Sequence, residues 1–199
     1  MRCVSALVMV AGIGLAAALP VSARDLGGEA TGNWAGAAGD GFFFRAALDV
    51  NADLAALRIW NGTDAVPGRD AEPDLDVPDF GVAAFATVLR LDVVETGDGS
   101  ILQVITEFAD EEAEGTEVVE LQYRDSQFTI IGYSSEMTLY SFDGPEEHFA
   151  CEVDLQAGTV VNNGEARSLP PLDAEALNAS LWTEGAAFER GWCSTVGEG

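Results

Sequence analysis

Two stretches of this sequence gather oxygen donors at spacings that suit a cation. Asp49-Val50-Asn51-Ala52-Asp53 has the alternation with which calcium loops present three oxygens on one side of a turn. The match is partial, because Leu54 stands where such loops need glycine and Trp60 stands where they need a bidentate glutamate. Asp and Asn also favour tight turns by capping their own backbone, so a plain turn competes with a weak Ca²⁺ site at Asp49, Asn51 and Asp53. The second stretch, Glu107 to Glu117, carries six carboxylates. Their mutual repulsion is relieved by a cation or by a Lys/Arg-rich protein surface. Asp110, Glu111, Glu112 and Glu114 are therefore expected to form a partner or cation surface at a solvated hairpin tip.

Catalytic chemistry has less support. Glu107 and Glu120 fall on one polar strand face, and paired carboxylates roughly 5 to 9.5 Å apart are the working parts of glycosidases. Such enzymes also need a cleft and an environment that raises one pKa, and two glutamates on a solvated sheet face are the plainer reading. His148 is the single histidine, follows Glu146-Glu147, and has no local nucleophile motif beside it. A phosphate-binding glycine loop and a Cys/His metal cluster are both absent from the sequence.

The elements that position these residues read as strands. Phe42, Phe44, Ala46, Leu48 and Val50 alternate with Phe43, Arg45, Ala47 and Asp49, and Leu57 and Ile59 alternate with Arg58 and Trp60. These two runs are expected to form a hairpin around residues 51–54. Residues 61–79 hold three prolines and many acids with no apolar period, and are expected to be a long surface loop with Trp60 beside it as an aromatic anchor for a partner.

Leu102, Val104, Thr106 and Phe108 form one strand face, Val119, Leu121 and Tyr123 a second, and Phe128 and Ile130 a third. A two-residue turn at Asp125-Ser126 places 123 opposite 128 and 121 opposite 130. Pairing Ala109 with Thr116 would set Thr106 against Val119 and make Glu107 and Glu120 diagonal neighbours.

Further strands are expected at 83–94, 137–142, 149–155 and 158–161, and a short helix capped by Asp173 through Ala174, Leu177 and Leu181. About eight or nine short strands joined by brief turns predict a mainly β domain, an antiparallel sandwich or barrel with a short C-terminal helix. Gly32-Asn33-Trp34-Ala35-Gly36 precedes the first long strand, where a tryptophan plugs one end of a barrel or covers a sheet edge.

Residues 1–23 have the zones of a cleavable export signal: Arg2, an apolar run from Val4 to Leu19, and Val21-Ser22-Ala23 as the cleavage site. The apolar run is shorter than a membrane-spanning helix needs, so a periplasmic or secreted chain of 176 residues without a membrane span is expected. It divides into a Gly/Ala-rich segment, 24–40, and one β-rich domain, 41–199. Cys151 and Cys193 are the only cysteines left after cleavage, which in an oxidising compartment implies one disulfide.

Acidic residues outnumber basic ones 34 to 9, all nine arginine, for a net charge of −25. Such a charge repels nucleic acid and anionic membranes and attracts cations and basic proteins, or serves solubility alone. Together these features favour binding over catalysis: an inhibitor or scavenger of a basic protein. The alternatives are a carboxylate-based, glycan-active hydrolase and a small-ligand barrel.

Overall fold

A computed structural model describes residues 24–36, 41–97, 99–141 and 144–194; the leader read at 1–23 lies outside them. The fold is mainly β and sandwich-like. Strands β2 (Gly28–Asn33), β3 (Phe43–Asn51), β4 (Leu54–Gly62) and β5 (Leu75–Val82) form a four-stranded antiparallel sheet in chain order. The larger sheet has eight strands: β1 (Asp25–Leu26), β6 (Ala86–Thr96), β7 (Gly99–Ala109), β8 (Ala113–Arg124), β9 (Gln127–Leu139), β10 (Glu147–Asp154), β11 (Thr159–Asn162) and β12 (Glu165–Ser168). From β6 to β12 each strand pairs antiparallel with the next, while β1 pairs parallel with β6.

The two sheets are joined at Gly27, where the chain leaves β1 for β2. Its φ of 91° and the Leu48 carbonyl oxygen, 2.9 Å from where a Cβ would sit, leave room only for glycine. Phe44, Leu57 and Ile59 from one sheet pack on Leu89, Leu102, Leu121 and Ile130 from the other, all fully buried. The alternation read in β3, β4, β7, β8 and β9 is thus the alternation between core and solvent. Asp125 and Ser126, with φ of 48° and 63°, make the two-residue turn, and Tyr123 faces Phe128 and Leu121 faces Ile130 as expected.

Trp34 closes the end of the sandwich where β3 begins. Its ring stacks on Phe44 at 3.9 Å and meets Phe128 edge-on at 6.3 Å, and its Nε1 donates to Asn61 Oδ1 at 2.8 Å.

Four strands cannot cover the inner face of eight, and the C-terminal segment covers the remainder. Ala179, Trp182, Ala186, Ala187 and Trp192 are buried against the core. Trp182 lies 5.9 Å from Tyr133, and Phe188 lies 5.6 Å from Phe149. Cys151 on β10 and Cys193 stand at disulfide distance, with Cα atoms 5.8 Å apart.

Two expectations are corrected. The region 61–79 is not all loop, because Leu75, Val77 and Phe80 are buried in the edge strand β5. Pro78 hid that strand in the sequence; it sits where the β4–β5 register shifts, so the ladder loses little by its missing N–H. The expected helix through Ala174, Leu177 and Leu181 does not form, although Asp173 Oδ1 does accept from Ala176 N at 2.8 Å. The Leu177 carbonyl is taken by Ile130 N at 2.8 Å and Asn178 bridges to Thr129, which draws the chain onto β9. A single 3₁₀ turn (Ala179–Leu181) and a short helix (Ala186–Glu189) follow instead.

Closing a loop with a sequence separation of 42 restricts the unfolded chain. The double variant Cys151→Ser/Cys193→Ser is therefore expected to lose about 4 kcal/mol in urea unfolding relative to the oxidised protein. A loss below about 1 kcal/mol would mean that aromatic packing alone holds the segment.

Candidate functional site

The outer face of the eight-stranded sheet carries the largest concentration of oxygen donors. Its layout follows from a register two residues away from the expected one: Ala109 pairs with Glu114, not Thr116. The hairpin closes early because Asp110 caps it, its Oδ1 accepting from Glu112 N and Ala113 N, both at 2.8 Å. Those two amides hold the Asp110 carboxyl below its ordinary range. The shift is an even number of residues, so every side chain keeps its face while its cross-strand partner changes.

Glu107 now faces Thr116 and Glu120 faces Gln103, so the two glutamates are not neighbours. Glu107, Thr116 and Glu136 instead form one lateral row across β7, β8 and β9, which puts the two glutamate backbones roughly 10 Å apart. Gln103, Glu120, Gly132 and Asp154 form a second row, and Ile105, Val118, Ser134 and Glu152 run between the two.

Two open grooves lie over these rows. One, of about 700 Å³, is lined by Glu107, Glu114, Glu136 and His148 among others; the second, about 450 Å³, by Glu120, Glu136, Glu152 and Asp154. Among the described residues none of these carboxylates forms an ion pair. Glu120 is held by Gln103 Nε2 at 2.8 Å and lies over Gly132, where a Cβ would come within 2.6 Å of its Oε2. His148 is on β10 rather than in a turn, with Nδ1 3.1 Å from Thr138 Oγ1.

Two arginines share the large sheet, Arg90 on β6, paired with Asp92, and Arg124 on β8, which donates to Gln122 and Gln156. Arg45, Arg58 and Arg69 lie on the outer face of the four-stranded sheet, paired with Glu29, Asp49 and Asp76. Asp49 accepts from Arg69 through both oxygens, at 2.9 and 2.6 Å, and from Arg58 at 2.9 Å. Both Asp49 oxygens of the expected Asp49, Asn51 and Asp53 set are thus engaged by guanidiniums, and the described residues contain no group of three metal-ligating His, Cys, Asp or Glu side chains.

Trp60 needs a correction of the same kind. It is only 4% exposed, donates from Nε1 to the Ala71 carbonyl at 2.9 Å, and lies beneath the Arg69 guanidinium at 5.4 Å. The loop covers it, so it offers no anchor to a partner. Tyr140 is the aromatic ring that lies beside the acidic tip. It is exposed next to Glu111 and Glu112, and a hydrogen bond with Glu114 raises its pKa.

A second cluster, unforeseen in the sequence, faces inward. Glu117 shares the core face of β8 with Val119 and Leu121, and Tyr133 Oη donates to its Oε1 at 2.9 Å. Burial raises the Glu117 carboxyl above its ordinary range and the Tyr133 phenol well above its own. Glu184 is exposed as a residue but lines the same cavity from the C-terminal segment, and its carboxyl is raised by partial burial and by the charge of Glu117. The cavity holds about 30 Å³, space for one water molecule. The signal was present: Glu117 is in phase with the apolar residues of its strand.

No family model, curated protein or solved structure matches the chain.

The side chain of Glu120 fills the space above Gly132 and can swing away. Gly132→Ala is therefore expected to change stability by less than about 1 kcal/mol in urea unfolding while displacing the Glu120 carboxylate. A loss above about 3 kcal/mol would show that the close approach is rigid.

Proposed function

We propose that this protein is an exported binding module that takes up a basic polypeptide segment on the outer face of its eight-stranded sheet, as an inhibitor or scavenger of a basic protein. One observation carries the reading: a block of carboxylates on the large sheet is left without ion pairs. Three arginines are consumed by carboxylates on the small sheet, while Glu107, Glu136 and Glu152 line grooves on the large sheet with no ion pair among the described residues. The part-buried Val118 between the carboxylate rows suits a segment that alternates cationic and apolar side chains, and Tyr140 at the rim adds an aromatic contact. Export rests on the leader at residues 1–23 and suits a cysteine pair at disulfide distance.

A carboxylate-based hydrolase is the second reading. It draws on the half-buried Glu117 and the exposed Glu184, two acids in unlike surroundings facing one cavity. Their cavity of about 30 Å³ admits water but no sugar ring, so binding is preferred. The filled core weighs against a small-ligand barrel in the same way.

The test is calorimetric titration of the disulfide-intact protein with a synthetic peptide alternating arginine and leucine, at about 50 mM and about 500 mM NaCl. Glu107→Gln/Glu136→Gln/Glu152→Gln should weaken binding roughly tenfold or more at low salt. Neutralising Asp64, Asp70 and Glu72 on the other side of the molecule should have little effect. Equal losses from both triple variants would reduce the acidic face to a general solubility device.

A further inference from the structure

Glu117 and Glu184 line one cavity from two elements that also pack through Trp182 and Tyr133. Glu117 projects from β8 toward the core, opposite Thr106 on β7 and Ser135 on β9. Glu184 comes from the C-terminal segment, two residues after Trp182, whose ring packs on Tyr133. Phe80 to Val82, Val104 and Val119 complete the walls, and Tyr133, Glu117 and Glu184 are the titratable groups among the lining residues. No arginine lines the cavity. Arg190, the basic residue of this part of the segment, is held over Trp182 and Trp192 at 5.6 and 5.1 Å and donates to the Ala176 carbonyl.

The segment is tied on either side of Glu184. Before it, Ile130 N donates to the Leu177 carbonyl; after it, Arg167 donates to the carbonyls of Gly191 and Trp192, and Cys193 reaches Cys151. Residues 179–188 therefore form a strap with both ends anchored and a carboxyl in its middle.

We propose that Glu117 and Glu184 act as a proton-dependent latch, which holds the 179–188 strap on the inner face of the large sheet while a proton is shared at the cavity and loosens it when both carboxyls ionise. With one proton present, a carboxylic acid and a carboxylate face each other and attract. Without it, two negative charges share a site with no cation to separate them. The sign follows from burial. The folded state holds the Glu117 proton more tightly than the unfolded chain, so the strap is most stable below the ordinary glutamate value of 4.5 and loses stability as pH rises toward the raised one. The anchors at 177 and 193 limit the opening to the strap, which would expose Trp182 and Tyr133 while the sandwich stays folded.

Amide hydrogen exchange of the full mature protein with its disulfide intact, corrected for the intrinsic pH effect, tests the latch. Protection of residues 179–188 should fall at least roughly tenfold between about pH 5 and about pH 8, while β3 and β7 stay protected. Glu117→Gln keeps an oxygen for the Tyr133 hydrogen bond and should flatten the profile. Glu184→Gln, at an exposed position that tolerates change, should flatten it as well. A flat wild-type profile, or the same slope in the wild type and in Glu184→Gln, would overturn the latch.

Discussion

Unequal sheet width is the constraint from which the other features of this fold follow. A four-stranded sheet can bury only part of the inner face of an eight-stranded one, and the uncovered strands, β9 to β11, carry Tyr133, Cys151, Val153 and Val160 on that face. Leaving them wet would forfeit roughly 25 cal/mol for every Å² of apolar surface. The chain after β12 supplies the cover without regular secondary structure. Large aromatic rings do the work that a further layer of strands would do, since each removes 150–250 Å² from water. Irregular backbone in such a place needs external ties. Two of them are visible in the Leu177 carbonyl, which accepts from Ile130, and the cysteine pair.

Covering one face by the C-terminal segment leaves the other face of the same strands unobstructed. On β8, Glu114, Thr116, Val118 and Glu120 point outward and Glu117 inward, so one strand supplies both an open acidic groove and a half-buried carboxyl. The difference between them is solvation. Charges on the outer face repel one another only weakly in water, over a screening length of about 8 Å, whereas burial disfavours the charged form of the inward Glu117 and raises its carboxyl above the ordinary range.

Period-two patterning made the architecture legible where strands are half-buried. The hairpins at 51–54 and 124–127 and the core faces of β3, β4, β7, β8 and β9 could be written down from alternation and turn chemistry. What escaped was decided by contacts that alternation does not encode. Register in the β7–β8 hairpin depended on Asp110 accepting two amides, a local choice that alternation cannot see because a two-residue shift preserves it. The strand at 75–82 was masked by Pro78 at a bulge, and the helix expected after Asp173 lost Leu177 to β9. Trp60 looked available because its neighbours are polar and proline-rich, yet the same loop folds back over it and lends it the Ala71 carbonyl.

The acidic composition, read whole, could not distinguish a solubility coat from a docking face, because net charge carries no position. Topology supplies the positions. Arg45, Arg58 and Arg69 fall on β3, β4 and the loop that follows β4, and pair with carboxylates on the outer face of the small sheet. On the large sheet Arg90 pairs with Asp92 and Arg124 donates to Gln122 and Gln156, while Glu107, Glu136 and Glu152 have no ion pair among the described residues. In the binding mode proposed above, a cationic segment at β7 to β10 would meet carboxylates whose desolvation cost its own charge offsets, with the part-buried Val118 between them for an apolar side chain.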